Sequence, residues 1–547
     1  MTRGRVRPVM TRASLAEGGA PGASSPRMSF PARLLVLAVC LAASIVSRAA
    51  AAEPAPPRRV VLMVWDGLRP DSVNDTDTPT LARLAREGVF FAHHHPAYPS
   101  STEVNGTAMI TGCYPGHSGL IANKEYRPAI DELKTVATES IEVQRRGDEL
   151  TGGHYLRVPT LPEILHAAGE RTAVAGTKLV TAVLDRAARP DDAKSVVLFE
   201  GHTLPEKSSL PLAGQVGRPF PKDIHFPNTE ADAWTTEALL GGLWKQGEDG
   251  PPRFSVLWMS DPDYTQHSVG PDAPGSRRAL ASVDANLAAV LKDLDDRGLR
   301  ASTDVLVVSD HGFSTIGRGL ETARILTEAG FHAAREYKTP PQRGDVLING
   351  LGGSVFLYVA EHDADTVRRL TAFVQAGDFA GVLFTRDALP GTFPLSAAHI
   401  DSPDAPDLVV AMRWNDDKNA TGFPGTVVSD GGRKPGQGTH STLSRYDMHN
   451  TLVAAGPDFR QGWRDELPSG NVDVAPTIAH LLGLKDAPKM DGRVLIESLR
   501  ESEGQPPPAP PKTERLEAQD SSWSQYLQVT RFGGVEYLDE GNVAAAP

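Results

Sequence analysis

Seven side chains carrying oxygen or nitrogen stand where this chain passes from strand to loop: Asp66, Thr102, Asp263, His267, Asp310, His311 and His440. Three apolar, β-rich runs (Val60–Trp65, Phe254–Met259 and Asp304–Ser309) lead into Asp66, into Asp263 with His267, and into Asp310 with His311. In an open parallel sheet the loops beyond the carboxyl ends of the strands share one edge, where ligands bind. Acids and imidazoles far apart in sequence can therefore converge. Such a donor set suits two divalent metals of the zinc kind, with the Thr102 hydroxyl as candidate nucleophile. Singly, each residue also has a plain structural use. Asp66-Gly67 is a common turn pair, and Asp263 and His267, four apart, would share one face of a helix. The signal is their recurrence after strands.

The elements that must position these groups alternate in the α/β manner from Val60 onward. Thr78-Pro79 opens a helix with Leu81, Leu84 and Ala85 on one face and Gly88 at its end. Thr160 opens another through Leu161, Ile164, Leu165 and Ala168, and the short strand Thr172–Ala175 follows. Leu280, Val283, Leu287, Val290, Leu291 and Leu294 repeat at helical spacing. Thr102–Ile110 is predicted to begin a helix at Thr102, whose free N–H groups and positive dipole end favour a phosphate oxyanion. The expected fold is α/β with a mostly parallel central sheet flanked by helices. The catalytic core spans 53–319 and 440–500, interrupted by an inserted cap subdomain at 320–439. Residues 501–547 hold a proline-rich linker, Pro506–Pro511, and a C-terminal hairpin around Gly533-Gly534.

The chain has 547 residues, 40% of them apolar and 22% charged, enough for one large domain with a real core. Arg33, the apolar run Leu34–Val46 and the small residues Ala49–Ala52 have the layout of a secretory signal peptide, with an apolar run too short to span a bilayer. Met28 offers an alternative start within this 1–52 extension. Cys40 only faintly resembles a lipoprotein box, because Val39 is bulkier than the usual small residue. Removing 1–52 takes away seven Arg and one Glu, so the formal net charge falls from −13 to −19. A strongly acidic exported chain is a poor non-specific partner for nucleic acid. Only Cys113 remains, which excludes an internal disulfide framework. A periplasmic or secreted location follows as the expectation, with no membrane span after signal cleavage.

Five separated motifs carry a family resemblance: Val61–Gly67; Tyr98-Pro99-Ser100-Ser101-Thr102-Glu103-Val104-Asn105; Thr111–Gly119; Asp261–His267; and Ser309–Gly312. In this order they resemble the alkaline phosphatase superfamily, and within it the nucleotide pyrophosphatase/phosphodiesterase branch. The resemblance spans roughly Val60 to Leu484 apart from the cap. It implies an alkaline-phosphatase-like core and two Zn2+ ions. Asp263, His267 and His440 would hold one, and Asp66, Asp310, His311 and the Thr102 oxygen the other. Asn105 would donate to a phosphate oxygen. His440 precedes Ser441 where the family usually has a His-Gly pair, and His449 belongs to an Asp447-Met448-His449 segment of structural type.

The implied activity is hydrolysis of phosphodiesters or pyrophosphates of small, nucleotide-like substrates through a phosphothreonine. Lys178 keeps two alternatives open, a phosphomonoesterase and a phosphonoacetate-hydrolase-like enzyme, both matched in part. A catalytically inactive secreted binding protein is a further alternative. Cys113-Tyr114-Pro115-Gly116-His117 nearly spells a sulfatase sequence, but His stands where Arg is needed. His93-His94-His95 is read as a partly exposed loop, because three consecutive rings do not converge easily on one tetrahedral ion.

Overall fold

The structure is a computed structural model, and it describes residues 57–186, 195–245, 250–485 and 487–544. The expected signal peptide lies outside the described residues. Nine strands build the central sheet: β1 (Arg59–Trp65), β2 (Val89–His95), β3 (Thr172–Gly176), β4 (Val196–Phe199), β5 (His202–Leu204), β6 (Phe254–Met259), β7 (Thr303–Val308), β8 (Leu452–Ala455) and β9 (Trp463–Gly470). Their order across the sheet is β9-β2-β8-β7-β1-β6-β3-β4-β5. The middle pairings, β7 with β1, β1 with β6 and β6 with β3, are all parallel.

The apolar runs are continuous because both faces of the sheet are covered. The helices that cover it include α1 (Pro79–Glu87), α2 (Thr102–Thr111), α3 (Leu161–Ala167), α4 (Thr229–Gly241), α5 (Asp263–Val269), α6 (Pro274–Asp296) and α7 (Val474–Leu481). Val60, Leu62 and Val64 of β1 pack with side chains of α2, α3 and α7. Val61, Met63 and Trp65 point the other way, into side chains of α1, α4 and α6. Each fully buried aliphatic or aromatic side chain of this kind contributes about 1.5–3 kcal/mol, so alternation along one strand secures two helical layers.

Two further sheets follow. A six-stranded sheet is built from segments between Ala333 and Met412. A four-stranded sheet joins Trp414–Lys418, Pro424–Asp430, Ser314–Leu320 and Gly438–Thr439. The C-terminal region contains a hairpin around Gly533-Gly534, as expected, and adds one strand to it. It is a three-stranded antiparallel sheet, Lys512–Asp520, Trp523–Phe532 and Val535–Val543. The extra strand, Lys-Thr-Glu-Arg-Leu-Glu-Ala-Gln-Asp, has no buried residue, so it carries no apolar alternation by which a strand is read. The His93–His95 triplet also departs from expectation: it is the end of β2, with His93 exposed and His94 and His95 buried.

Candidate active site

Register brings the acids to one height. Val64 of β1 pairs with Trp258 of β6 and with Val308 of β7, so Asp66 and Asp310 both lie two residues beyond that level. Gly67, with φ of +72°, turns the chain so that its N–H donates to Asp310 Oδ1 at 2.9 Å. Beyond β6, Asp232 of α4 accepts from the N–H groups of Ser260 (2.8 Å) and Asp261 (3.2 Å), and the Asp263 N–H donates to the Asp66 carbonyl (3.0 Å). That turn starts α5, which presents Asp263 and His267 from successive turns. His440 arrives by another route. Ser314 and Thr315, just past His311, pair antiparallel with Thr439 and Gly438 and so deliver the next residue.

The chain therefore assembles two groups of potential ligands: Asp263, His267 and His440, and Asp66, Asp310 and His311. In all three histidines Nδ1 lies against a backbone carbonyl: Gly438 for His267 (2.9 Å), Gly312 for His311 (2.8 Å) and Ser100 for His440 (2.7 Å). A carbonyl only accepts, so in His311 and His440 Nδ1 carries the proton and a neutral ring keeps its lone pair on Nε2; at His267 the Arg433 guanidinium, a donor, also lies against Nδ1. His267 Nε2 lies 3.2 Å from Asp263 Oδ1, His440 Nε2 3.7 Å from that same oxygen, and His311 Nε2 3.2 Å from Asp310 Oδ2 and 3.6 Å from Asp66 Oδ1. These three oxygens, Asp66 Oδ1, Asp263 Oδ1 and Asp310 Oδ2, are buried without a hydrogen-bond partner. Burial, with the neighbouring His311 and His267, holds His440 well below the usual imidazole range, so its ring is neutral. Lone pairs aimed at orphaned carboxylate oxygens fit a cation between them, and ring orientation by carbonyls is the support that metal-ligating histidines receive.

The remaining carboxylate oxygens are fully engaged. The Lys178 ammonium donates to Asp66 Oδ2 (2.8 Å) and to Asp263 Oδ2 (2.9 Å), and Trp258 Nε1 donates to Asp66 Oδ2 (2.9 Å). Burial favours the neutral amine, but Asp263 and Asp66 outweigh it and raise Lys178 well above its ordinary value. Asp66 is pushed well up by burial and by the charge of Asp310. The Arg433 guanidinium lies against the His267 ring and donates to the Gly438 carbonyl (3.3 Å).

Thr102 is the first residue of α2, preceded by Ser101 as N-cap, and it is 3% exposed. Its hydroxyl takes no capping role; Oγ1 lies 3.4 Å from His311 Nε2. Gly106 lets this helix approach the Trp258 ring, which a Cβ would meet at 3.2 Å. Asn105 is placed differently from expectation. Its NH2 donates to the carbonyls of Ala97 (3.0 Å) and Ser101 (3.1 Å), and its Oδ1 accepts from Ala97 N–H (2.7 Å) and Asn471 Nδ2 (2.9 Å). That amide braces the loop that delivers Thr102, with no donor left for a phosphate. Asn123, which no motif singled out, lies at the first turn of α2 instead. Its Oδ1 accepts from the Glu103 N–H in the first turn of α2 (3.3 Å), and the residue is half-buried. The only local signal was a buried apolar run, Leu120–Ala122, ending on a polar residue.

His449 stays outside both groups, with Nε2 against the Ala92 carbonyl (2.9 Å). Asp447 ties the neighbouring segments together, accepting from Ser314 Oγ (2.5 Å) and from Thr442 N–H (3.0 Å), while its own carbonyl accepts from Gly312 N–H (2.9 Å). Ser441 has a φ of +76°, a left-handed conformation that favours the glycine the resemblance expects there.

Fold and site together define an alkaline-phosphatase-like α/β protein with paired Asp/His groups at one sheet edge. The chain belongs to the type I phosphodiesterase / nucleotide pyrophosphatase family, whose profile matches residues 60–417. It is 21% identical over 431 residues to bis(5'-adenosyl)-triphosphatase ENPP4 of Mus musculus, covering 79% of this chain and 78% of that protein. Against ectonucleotide pyrophosphatase/phosphodiesterase family member 3 of Mus musculus it is 23% identical over 434 residues, which is 78% of this chain and 42% of that one. Among solved structures, human ENPP5 superposes with a TM-score of 0.58 at 16% identity, covering 81% of this chain and all of that chain. An inactive variant of murine ENPP5 in complex with AMP gives 0.56 at 18% identity with the same coverage.

Proposed function

We propose that this protein is an exported, two-zinc phosphohydrolase that cleaves phosphodiester or pyrophosphate bonds of small, nucleotide-like substrates through a phosphothreonine on Thr102. The observation that carries the reading is the set of three carbonyl-oriented imidazoles whose Nε2 atoms face three orphaned carboxylate oxygens. Asp263, His267 and His440 would hold one ion, and Asp66, Asp310 and His311, with the Thr102 oxygen, the other. Two such ions supply Lewis-acid charge for the entering and leaving oxygens and favour the ionised threonine.

Thr102 Oγ1 attacks phosphorus as the bond to the leaving oxygen breaks, and its proton passes to solvent. Water then cleaves the phosphothreonine and regenerates the hydroxyl. The Thr102 N–H at the start of α2 and the Asn123 NH2 would face the non-bridging oxygens, where negative charge must be held, while the Glu103 N–H holds Asn123 Oδ1. Asn105 keeps Ala97–Ser101 in place and so fixes where Thr102 points. Lys178 balances the buried aspartates. Residues 320–439 act as a cap over substrate access, and residues 1–52 as the export signal. Among the described residues no helix is long and apolar enough to cross a membrane.

Lys178 supports the second reading, a phosphomonoesterase or phosphonoacetate-hydrolase-like activity, because a cation at the site suits a dianion. Its ammonium is already engaged by two carboxylates, which favours the diester. Turnover of bis-p-nitrophenyl phosphate, p-nitrophenyl phosphate and phosphonoacetate separates the three. Thr102→Ala is expected to abolish turnover while metal content stays nearly unchanged; retained activity removes the nucleophile. Purified protein without bound metal would leave the inactive-binding-protein alternative standing.

A further inference from the structure

The stretch Cys113-Tyr114-Pro115-Gly116-His117 has no part in the site above, yet the fold gives it a third donor. Ligand atoms of Cys113, His117 and Asp491 all lie within 4.8 Å of one another, although 374 positions separate His117 from Asp491. Their spacing is set by backbone. Asp491 N–H and Gly492 N–H both donate to the Gly112 carbonyl (2.9 and 3.1 Å), and Tyr114 N–H donates to Asp491 Oδ2 (2.9 Å). Gly112, with φ of +69°, packs against Met490, which a Cβ would meet at 2.7 Å. The segment carrying Asp491 is thus clipped to the end of α2 before any ligand arrives.

Within this frame His117 Nδ1 lies 3.1 Å from both Asp491 oxygens. The Cys113 thiol is 1% exposed and makes a long contact, Sγ donating to the Thr111 carbonyl at 3.6 Å. His117 and Asp491 are 48% and 30% exposed, so the group opens to solvent on one side. We infer that Cys113, His117 and Asp491 form a separate site for a borderline-soft divalent transition ion, zinc in the first instance, with solvent in the fourth position. Thiolate, imidazole and carboxylate are the ligand types zinc takes, and the thiolate discriminates against magnesium and calcium.

Binding breaks the S–H bond of Cys113 and forms a sulfur–metal bond, the proton passing to solvent. The thiolate and the Asp491 carboxylate then neutralise a doubly charged ion. At about 1.5 Å per residue, the ten residues of α2 put this group about 15 Å from Thr102. Its role is to pin the far end of the nucleophile helix to the 490–492 segment, and it stands whether or not the proposed reaction is correct.

The test uses the full chain, stripped with a chelator and titrated with Co2+. The aspartate and histidine groups offer no sulfur, so a thiolate-to-cobalt charge-transfer band reports Cys113 alone once Cys40→Ser has excluded the other cysteine. The expected result is a band in wild type and in Cys40→Ser, its loss in Cys113→Ser, and one fewer equivalent of bound zinc in Cys113→Ser and in His117→Ala. Activity of Cys113→Ser shows that the variant is folded. A wild-type protein that gives no band, or a Cys113→Ser protein that keeps the wild-type zinc stoichiometry, overturns the site.

Discussion

Replacing Lys178 by Met removes the ammonium and keeps most of the volume, and its cost should depend on metal. In the metal-free protein Lys178 is the cation within hydrogen-bonding distance of Asp66 Oδ2 (2.8 Å) and Asp263 Oδ2 (2.9 Å), whose residues are 0% and 2% exposed. Removing one partner of a buried ion pair costs about 3–5 kcal/mol, since the remaining charge is left uncompensated. Asp66, already pushed up by burial and by Asp310, can take up a proton and hold the loss to the lower part of that range. Unfolding entropy of about 2.1 cal/mol/K per residue gives about 1 kcal/mol/K for a chain of this size, so Tm should fall by about 3 °C. With zinc bound, the same carboxylates have a cation on their other oxygens, and most of the loss should disappear. Differential scanning calorimetry of wild type and Lys178→Met, each in chelator and in zinc, reads the difference directly. An equal drop in Tm under both conditions would refute the reasoning, because the aspartates would then be plain partners of Lys178 and nothing else.

Asn123→Ala should lower kcat about 10²–10³-fold with metal content intact, the usual loss for one donor to developing charge. Asn105→Ala, by contrast, orphans the buried Ala97 N–H and should cost about 1–3 kcal/mol of stability. Steady-state kinetics beside urea unfolding separates them, and an unchanged kcat in Asn123→Ala removes it from the site. His94 gives a pH prediction. Burial lowers it from 6.5 to about 3, so between those values the unfolded chain binds a proton that the native chain does not. Stability should therefore be intact above pH 6.5 and fall as pH drops toward 3, by about 4 kcal/mol from this residue. His94→Gln should flatten the acid side of the stability profile; an unaltered slope below pH 6.5 assigns the effect elsewhere.

How much of this was legible in sequence depends on which physical rule wrote each part. Strands β1, β6 and β7 could be read because a parallel sheet covered on both faces demands unbroken apolar runs, and the first polar residues after them must lie at the binding edge. Asp66, Asp310 and His311 follow from that; Asp263 stands behind Ser260 and Asp261 and is marked out only by His267 four residues on. His440 does not follow: it reaches the others through a two-residue pairing of Gly438–Thr439 with Ser314–Thr315, too short for any periodicity to show. Asn105 shows how adjacency misleads. It stands one helical turn after Thr102, and the family resemblance implied that it donates to a phosphate oxygen. Side chains on a helix tilt toward its N-terminus, however, so an amide at that position reaches back over the preceding loop and finds Ala97 and Ser101. The group that does stand at the first turn, Asn123, comes from a segment 20 residues away, held there by a contact with the Glu103 N–H that no local pattern encodes. A helix N-terminus thus announces its own first residue, while the groups that converge on it are chosen by tertiary packing. For that reason Asn123→Ala and Asn105→Ala, similar on paper, should separate cleanly, one losing turnover and the other stability.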